Sequence, residues 1–199
     1  MNSLDWQKRI VNRSDMTTRI THLTKGTDDE NAFECLWKIL NDKELIATVS
    51  NGNIVGTNEV VCFQDVPLYG IVENLMYEKE LNDKTRYSWF GLRFSKNRIY
   101  ESGARPVMYG EREELKKLLS EDEFWRIVNF DLSGKNITDW SHEREWRIKG
   151  NYKFDYKDIE ILVKNDIYSH KLIKRCIDEK RTDILLNCHG IIPLNSVVR

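Results

Sequence analysis

The segment 141–148, with the sequence Ser-His-Glu-Arg-Glu-Trp-Arg-Ile, constrains the fold of this chain more than any other. Successive side chains of a β-strand point to opposite faces, so a strand here would have one charged face and one face suited to a core. The charged face would carry Glu143, Glu145 and Arg147, and the opposite face Arg144, Trp146 and Ile148. A charged face ordinarily meets solvent, and the alternative is that it lines a cleft that uses the charge.

Length and composition favour a single globular domain that spans residues 1–199. Of the 199 residues, 40% are hydrophobic and 32% are charged, which is ordinary for a soluble protein. The net charge of −1 argues against a broadly basic surface for nucleic acid, but it is compatible with a local basic patch. We find no signal peptide and no apolar run near about 18 residues, so we expect a cytoplasmic protein without membrane contact.

The cysteines and histidines do not indicate a metal site. Cys35, Cys62, Cys176 and Cys188 form no C-x-x-C pair, and each has apolar neighbours. We therefore expect them to pack as small hydrophobic residues without forming disulfides. The four cysteines and four histidines lack the spacing of metal ligands, which predicts that no metal is needed.

The order of predicted elements indicates an α+β fold in which strands and helices interleave without a repeated βαβ unit. Strands are predicted at 17–24, 44–49, 58–63, 87–95, 107–109, 141–148, 159–163 and 184–187. Helices are predicted near Trp6 and at 31–40, 68–81, 95–100, 111–128 and 166–180, with loops at 50–57 and 78–86. Met76 and Leu118 are expected on the buried faces of their helices. The chain has neither a Walker loop nor a glycine-rich dinucleotide fingerprint.

Three segments that carry chemistry follow one another along the chain. His22-Leu23-Thr24 ends the first strand, Gly-Leu-Arg-Phe-Ser-Lys-Asn-Arg-Ile-Tyr occupies 91–100, and the strand with Glu143 and Glu145 comes last. A lone histidine at the end of a strand is usually structural. The order nevertheless resembles that of ADP-ribosyltransferases. Their first strand carries His-Gly-Thr or a similar triplet, their middle segment has the form Gly-Ile-Tyr-Phe…Ser…Tyr, and a later strand carries the catalytic glutamate.

Four segments, at 61–68, 91–96, 103–109 and 143–147, are similar to segments of AbiGi-type abortive-infection proteins, and DarT-like ADP-ribosyltransferases share the strand order. The resemblance spans residues 17–165. It implies mixed sheets split around an NAD cleft with flanking helices. It also implies the toxin of a phage-defence toxin–antitoxin system of the CmdTAC kind, with a cognate antitoxin as a partner. Two positions depart from the family pattern, since Leu23 replaces a glycine and Arg93 replaces an aromatic residue.

The resemblance implies NAD as a substrate and a role for each motif residue. Glu145 would hold a ribose hydroxyl and stabilise the oxocarbenium-like charge that develops as the nicotinamide–ribose bond breaks. Glu143 would position or deprotonate the acceptor. The other NAD-binding expectations are His22 and Thr24 for the ribose, Arg19 or Arg105 for the pyrophosphate, and Trp89, Phe94 or Tyr100 for ring stacking.

The acceptor implied by DarT-like relatives is a nucleic acid, and we expect single strands, with RNA ahead of DNA. Arg93, Lys96 and Arg98 would contact the phosphate backbone, although such residues equally often form an ordinary solvated face. Two alternatives stay open. One is a catalytically inactive binding or antitoxin-like protein on the same fold. The other is an NAD glycohydrolase, in which water replaces the macromolecular acceptor.

Overall fold

The computed structural model describes residues 2–48, 54–81 and 86–197. Residues 50–53 of the loop predicted at 50–57 and residues 82–85 of the loop predicted at 78–86 therefore lie outside the described residues, whereas residues 78–81 end a helix. The chain packs as two compact units. The first unit contains Met1–Glu44, Val66–Lys96 and Lys153–Arg199, and the second contains Leu45–Asp65 and Asn97–Tyr152. The single domain over 1–199 stays a prediction.

The predicted α+β class is confirmed. The helices are α1 (Ser3–Val11), α2 (Asp29–Asp42), α3 (Leu68–Leu81), α4 (Lys96–Glu101), α5 (Arg112–Leu118), α6 (Asp166–Asp178) and α7 (Thr182–Asn187). The strands are β1 (Arg19–Leu23), β2 (Glu44–Leu45), β3 (Val60–Gln64), β4 (Gly91–Ser95), β5 (Arg105–Pro106), β6 (Met108–Gly110), β7 (Ile127–Asn129), β8 (Glu145–Lys149), β9 (Tyr152–Lys153), β10 (Ile159–Val163) and β11 (Ile191–Pro193). Short 3-10 helices cover Glu121–Arg126, Ser141–Glu143, Tyr156–Asp158 and Leu194–Ser196. No helix in the described residues is long and apolar enough to cross a membrane.

The sheet of the first unit has the strand order β11-β10-β4-β1. Strands β1, β4 and β10 pair in antiparallel fashion, whereas β10 and β11 are parallel. A parallel pair needs a long crossover, which α6 and α7 supply because they lie between β10 and β11 in the chain. The apolar residues of β10 are fully buried, as expected for a strand inside a sheet.

Helix α2 forms where the sequence predicts it. The side chain of Asp28 caps its start by accepting a hydrogen bond from the backbone N–H of Asn31 at 2.9 Å. The side chains of Phe33, Leu36 and Leu40 recur at helical spacing and are fully buried. The helix ends before Lys43, whose backbone is left-handed with φ of 52°.

The second unit contains antiparallel strands in the order β3-β8-β5 and a parallel pair of β6 and β7. A small apolar cluster of Ile54, Val60 and Trp125 packs beside β3, with Cys62 against it. The core of the first unit is larger and includes Leu75 on α3. In this unit β8 pairs with β3 on one side and with β5 on the other, and these two neighbours fix its register.

The segment predicted as one strand at 141–148 is divided in two, so that part of the prediction is wrong. Ser141–Glu143 form a 3-10 turn, Arg144 adopts a left-handed backbone with φ of 44°, and β8 begins only at Glu145. Arg144 is exposed, so it does not belong to a core-facing strand face. Arg147 is only 3% exposed, which shows that the charged side of β8 is buried.

Several other predictions need correction. Residues 184–187 form part of α7, and the last strand is β11, because a short apolar run suits a helix as well as a strand. The predicted helix at 111–128 ends at Leu118, which is 79% exposed, and a 3-10 helix follows. Met76 is 47% exposed, and the strand predicted at 44–49 is reduced to β2.

Candidate active site

In the second unit, two strand ends bring polar side chains together. Strand β3 ends at Gln64 and β8 begins at Glu145, and these two residues are direct partners in the antiparallel register. Cys62 and Arg147 are the next partners on the same face. Because directly opposed residues of antiparallel strands project to one side, all four side chains lie on one face of the sheet.

Glu145 and Arg147 form a bidentate ion pair on this face. Nε and Nη2 of Arg147 donate to Oε1 and Oε2 of Glu145 at 2.8 and 3.0 Å. Nη1 of Arg147 donates to the carbonyl oxygens of Trp125 and Ile127 at 2.7 and 3.2 Å. Burial opposes the charge on Arg147, but the carboxylate of Glu145 outweighs it and raises the pKa of Arg147. The paired geometry fixes the plane of the Glu145 carboxylate.

The side chains of Tyr109 and Cys62 lie next to this ion pair. Burial, assisted by the charges of Glu145 and Glu143, raises the pKa of Tyr109 to about 12, even though its Oη accepts a 2.8 Å hydrogen bond from the backbone N–H of Glu145. Burial also raises the pKa of the Cys62 thiol, which hydrogen bonds to the Glu145 side chain. Both groups therefore stay protonated near neutral pH.

Glu143 belongs to the same group of charges. It is 8% exposed, and its charge acts on Cys62 and Tyr109, as the charge of Glu145 does. We call Cys62, Tyr109, Glu143, Glu145 and Arg147 the carboxylate cluster. The carboxylate oxygens of this cluster are hydrogen-bond acceptors, which suit a hydroxyl-bearing ligand.

The predicted residues Arg19 and Arg93 come together in the first unit through a residue that was not predicted. Nη1 of Arg93 lies 2.7 Å from Oε2 of Glu160, and Nη2 of Arg19 lies 3.4 Å from Oε1 of the same carboxylate. Burial and the charge of Arg19 lower the pKa of Arg93. We call these three residues the arginine cluster. Arg93 is enclosed, so it offers little of the phosphate-binding surface that was expected of it.

Other predicted NAD-binding residues of the first unit have structural contacts. Thr24 is buried, and its hydroxyl lies 2.7 Å from that of Ser88. Phe94 is 1% exposed and packs edge-on against Phe154. Trp89 packs against the core cluster of α3. Phe94 and Trp89 therefore pack in the core, and Thr24 joins the end of β1 to the segment that precedes β4.

His22 and Lys96 complete the predicted residues of the first unit. His22 is half-buried and pairs with Leu92, so it shares the face of Phe94 and lies opposite the arginine cluster. Lys96, expected to contact nucleic acid, is only 8% exposed. We expected a row of exposed cations around 93–98. Of these, Arg93 and Lys96 belong to the first unit, and both are mostly buried.

Tyr100 and Arg105 are two of the predicted NAD-binding residues. Both lie in the second unit, and they contact each other. The Arg105 guanidinium lies 4.1 Å from the centre of the Tyr100 ring, and its Nη1 donates to the carbonyl oxygens of Tyr100 and Ala104. Tyr100 is 50% exposed and meets Trp146 edge-on. Arg98 is also exposed. This stack offers an aromatic face and a cation at the surface of the unit.

Gln64, Tyr109 and the pairing of Arg147 were not predicted from the sequence. Gln64 and Tyr109 lie in the segments 61–68 and 103–109, which carry the family resemblance but received no role. The strand register that brings Gln64 to Glu145 is a long-range property, and a single sequence contains no direct signal for it. Alternation did place Glu145 and Arg147 on one face, which was the available signal for their ion pair.

Comparison with protein-family models, curated proteins and solved structures finds no match to this chain. Within residues 2–48, 54–81 and 86–197, no group of three or more histidine, cysteine, aspartate and glutamate side chains is arranged to hold a metal ion. The case for a function therefore depends on the carboxylate cluster itself.

Proposed function

We propose that this chain is a mono-ADP-ribosyltransferase toxin that uses NAD as its donor and belongs to a bacterial anti-phage toxin–antitoxin system. The observation that supports this most is the Glu145 carboxylate, which is held rigidly at the end of β8 by Arg147 with Glu143 beside it. Together with the order of motifs along the chain, this arrangement has the parts that the proposed chemistry requires.

Glu145 would act on the ribose that carries nicotinamide. The bond between the ribose C1′ and the nicotinamide nitrogen breaks, and its electron pair leaves with nicotinamide. A carboxylate that is already oriented stabilises the positive charge that develops on the ribose without reorganising. A carboxylate offers about four lone-pair positions. Arg147 takes two of them and the Cys62 thiol one, so one position stays open among the described residues.

Glu143 would act on the acceptor. The acceptor nucleophile forms the new bond to C1′ and loses a proton, which a nearby carboxylate can take. Tyr109 and Cys62 are protonated near neutral pH, so neither competes with Glu143 as the base. The two carboxylates would therefore divide donor activation and acceptor activation between them.

The variant Glu145→Gln tests the proposal directly. It keeps the shape of the side chain but removes its charge, so we expect NAD cleavage to fall by a factor on the order of 100 or more. Glu123→Gln is the matched control, because Glu123 is a carboxylate of the same unit paired with Arg126 at 2.8 Å. Cleavage is measured as release of nicotinamide, and folding by circular dichroism. A folded Glu145→Gln protein that cleaves NAD at the wild-type rate contradicts the assignment.

One observation favours a second candidate, a catalytically inactive binding protein on the same fold. Arg147 and Cys62 both bind the Glu145 side chain, and such a pair also occurs where a carboxylate only stabilises a sheet. Wild-type protein that releases no nicotinamide with any acceptor would favour this candidate. Nicotinamide release without a labelled macromolecule would instead favour an NAD glycohydrolase.

We propose single-stranded nucleic acid as the acceptor, with RNA ahead of DNA. Arg98 is exposed and carries this proposal, because Arg93 and Lys96 are largely buried. With labelled NAD, we expect Arg98→Gln to lower labelling of RNA, whereas Arg9→Gln, on the exposed side of α1, leaves it unchanged. Labelling should also fall steeply between about 50 and 200 mM salt, because phosphate contacts release counterions. Label that enters only polypeptides, with or without nuclease, would contradict this acceptor.

A further inference from the structure

Gln64 is a buried polar residue that the packing of its own unit does not explain. It is 6% exposed, and its side-chain Nε2 makes no hydrogen bond within the described part of the chain. A buried donor without a partner destabilises a fold, so such groups are rare and usually have a functional reason. An apolar residue of the same length would fill this position without that loss.

The strand register indicates which residue lies next to Gln64. It is the last residue of β3 and the direct partner of Glu145, so the two side chains project from the same end and the same face of the sheet. The backbone N–H of Asp65 donates to the carbonyl oxygen of Arg144 at 3.2 Å, which holds this strand end against the start of β8. A residue with an amide donor and a residue with a carboxylate acceptor are thus direct neighbours across two paired strand ends.

This pair of groups selects a particular ligand chemistry. A hydroxyl can accept a hydrogen bond from the Gln64 amide and donate one to the Glu145 carboxylate at the same time. The pyrophosphate of a dinucleotide has no proton at neutral pH, so it cannot donate a hydrogen bond to the Glu145 carboxylate. A ribose hydroxyl therefore fits better than the pyrophosphate of the same nucleotide.

We propose that Gln64 is a substrate-recognition residue, whose Nε2 donates a hydrogen bond to the nicotinamide-ribose hydroxyl that Glu145 accepts from. This inference rests on the proposed function. The substrate completes the hydrogen bonding of Gln64, so the residue contributes to substrate affinity at the expense of the stability of the free protein. Gln64 would thus raise the affinity for the substrate and lower the stability of the free protein, and these two quantities can be measured separately.

The variant Gln64→Met tests both effects, since methionine keeps the unbranched length without the amide. We expect the affinity for NAD, measured by calorimetry, to fall about five- to tenfold. The melting temperature without NAD should stay the same or rise, because an unpaired buried donor is removed. Gln7→Met, at an exposed position of α1, is the matched control and should change neither quantity. If Gln64→Met does not fold, Gln64→Leu takes its place.

A second ligand makes the assignment specific. NAD that lacks the 2′-hydroxyl of the nicotinamide ribose should bind wild-type protein more weakly than NAD, and Gln64→Met should bind the two nucleotides more nearly equally. A lower melting temperature with unchanged NAD affinity would overturn the inference alone, provided that wild type cleaves NAD and Glu145→Gln does not. Wild-type protein that neither binds nor cleaves NAD would overturn the proposed function, and this inference with it.

Discussion

In the first unit two arginines, Arg19 and Arg93, share the carboxylate of Glu160, whereas in the second unit the carboxylate of Glu145 pairs with one buried arginine, Arg147. The side chains of Arg93 and Arg147 are 13% and 3% exposed, so both units keep an arginine largely out of water. The carboxylate of Glu160 has two cationic partners, whereas the carboxylate of Glu145 pairs with one. We therefore expect the removal of Arg93 and the removal of Arg147 to lower the free energy of unfolding by different amounts.

The largest expected effect comes from removing these arginines one at a time. Arg147→Met leaves the Glu145 carboxylate buried without a cation and the carbonyl oxygens of Trp125 and Ile127 without their donor. We expect a loss of about 3–5 kcal/mol in the free energy of unfolding, as when one partner of a buried pair is removed. Arg93→Met should cost only about 1–3 kcal/mol, because Glu160 keeps Arg19.

Urea unfolding followed by tryptophan fluorescence measures both losses. Arg147→Lys helps to interpret them, because it keeps the charge but cannot form the bidentate pair. It should fall between wild type and Arg147→Met. Equal losses for Arg93→Met and Arg147→Met would show that the second arginine on Glu160 does not limit the loss.

An alkaline titration should give the next largest effect. Burial raises the pKa of Tyr109 to about 12 in the folded protein, whereas a tyrosine in an unfolded chain ionises near about 10. The folded state therefore holds the phenolic proton more tightly. The resulting stability is complete below about pH 10 and is lost as the pH rises toward about 12. Tyr109→Phe should make the urea midpoint less sensitive to pH in this window.

Tyr168 of the first unit provides the comparison for that titration. Burial and a 2.8 Å hydrogen bond to Glu30 raise its pKa to about 12 as well. Its hydroxyl and Glu30 lie at the surface, where solvent screens the interaction. Tyr168→Phe should therefore change the alkaline sensitivity less than Tyr109→Phe does. The reverse order would show that the carboxylate cluster contributes little to holding the Tyr109 proton.

The sequence predicted the elements that local signals specify. Helix α2 has a capping aspartate at Asp28 and apolar residues at helical spacing, so its prediction needed no knowledge of the rest of the fold. The start of β8 was predicted too early, because the backbone turns at Arg144. Alternating charges at 141–148 match a strand, but Arg144 has a positive φ, and an arginine gives no sign that the backbone turns there.

The candidate site was predictable only in part, because its geometry comes from strand pairing. The roles of Glu143 and Glu145 came from the motif order, and the structure brings these residues into one cluster. The burial of Arg147 and the donor of Gln64 depend on the register between β3 and β8, which a single sequence does not specify. Phe94 was expected to stack on a ligand, but the same apolar alternation that makes it a strand residue also buries it.

The smallest expected effect concerns the surface ion pairs of the first unit, which join α2 to α6 and to the residue that follows β10. Asp29 pairs with Lys164, Glu30 with Lys171, and Glu34 with Arg175. The Glu34 carboxylate lies 2.5 Å from Nη1 of Arg175, and its side chain is 55% exposed. Exposed pairs of this kind contribute about 0.2–1 kcal/mol, so Glu34→Gln should lower the free energy of unfolding by no more than that at low salt.

Salt separates this surface pair from the buried one. At 1 M sodium chloride the screening length falls to about 3 Å, so the difference between wild type and Glu34→Gln should disappear. The loss caused by Arg147→Met should persist, because its pair with Glu145 is shielded from solvent ions. Urea midpoints of the three proteins at about 0.05 and 1 M salt measure this. If salt reduced both losses by the same fraction, solvent ions would screen the Glu145–Arg147 pair as they screen a surface pair, and the contrast drawn between the two pairs would be wrong.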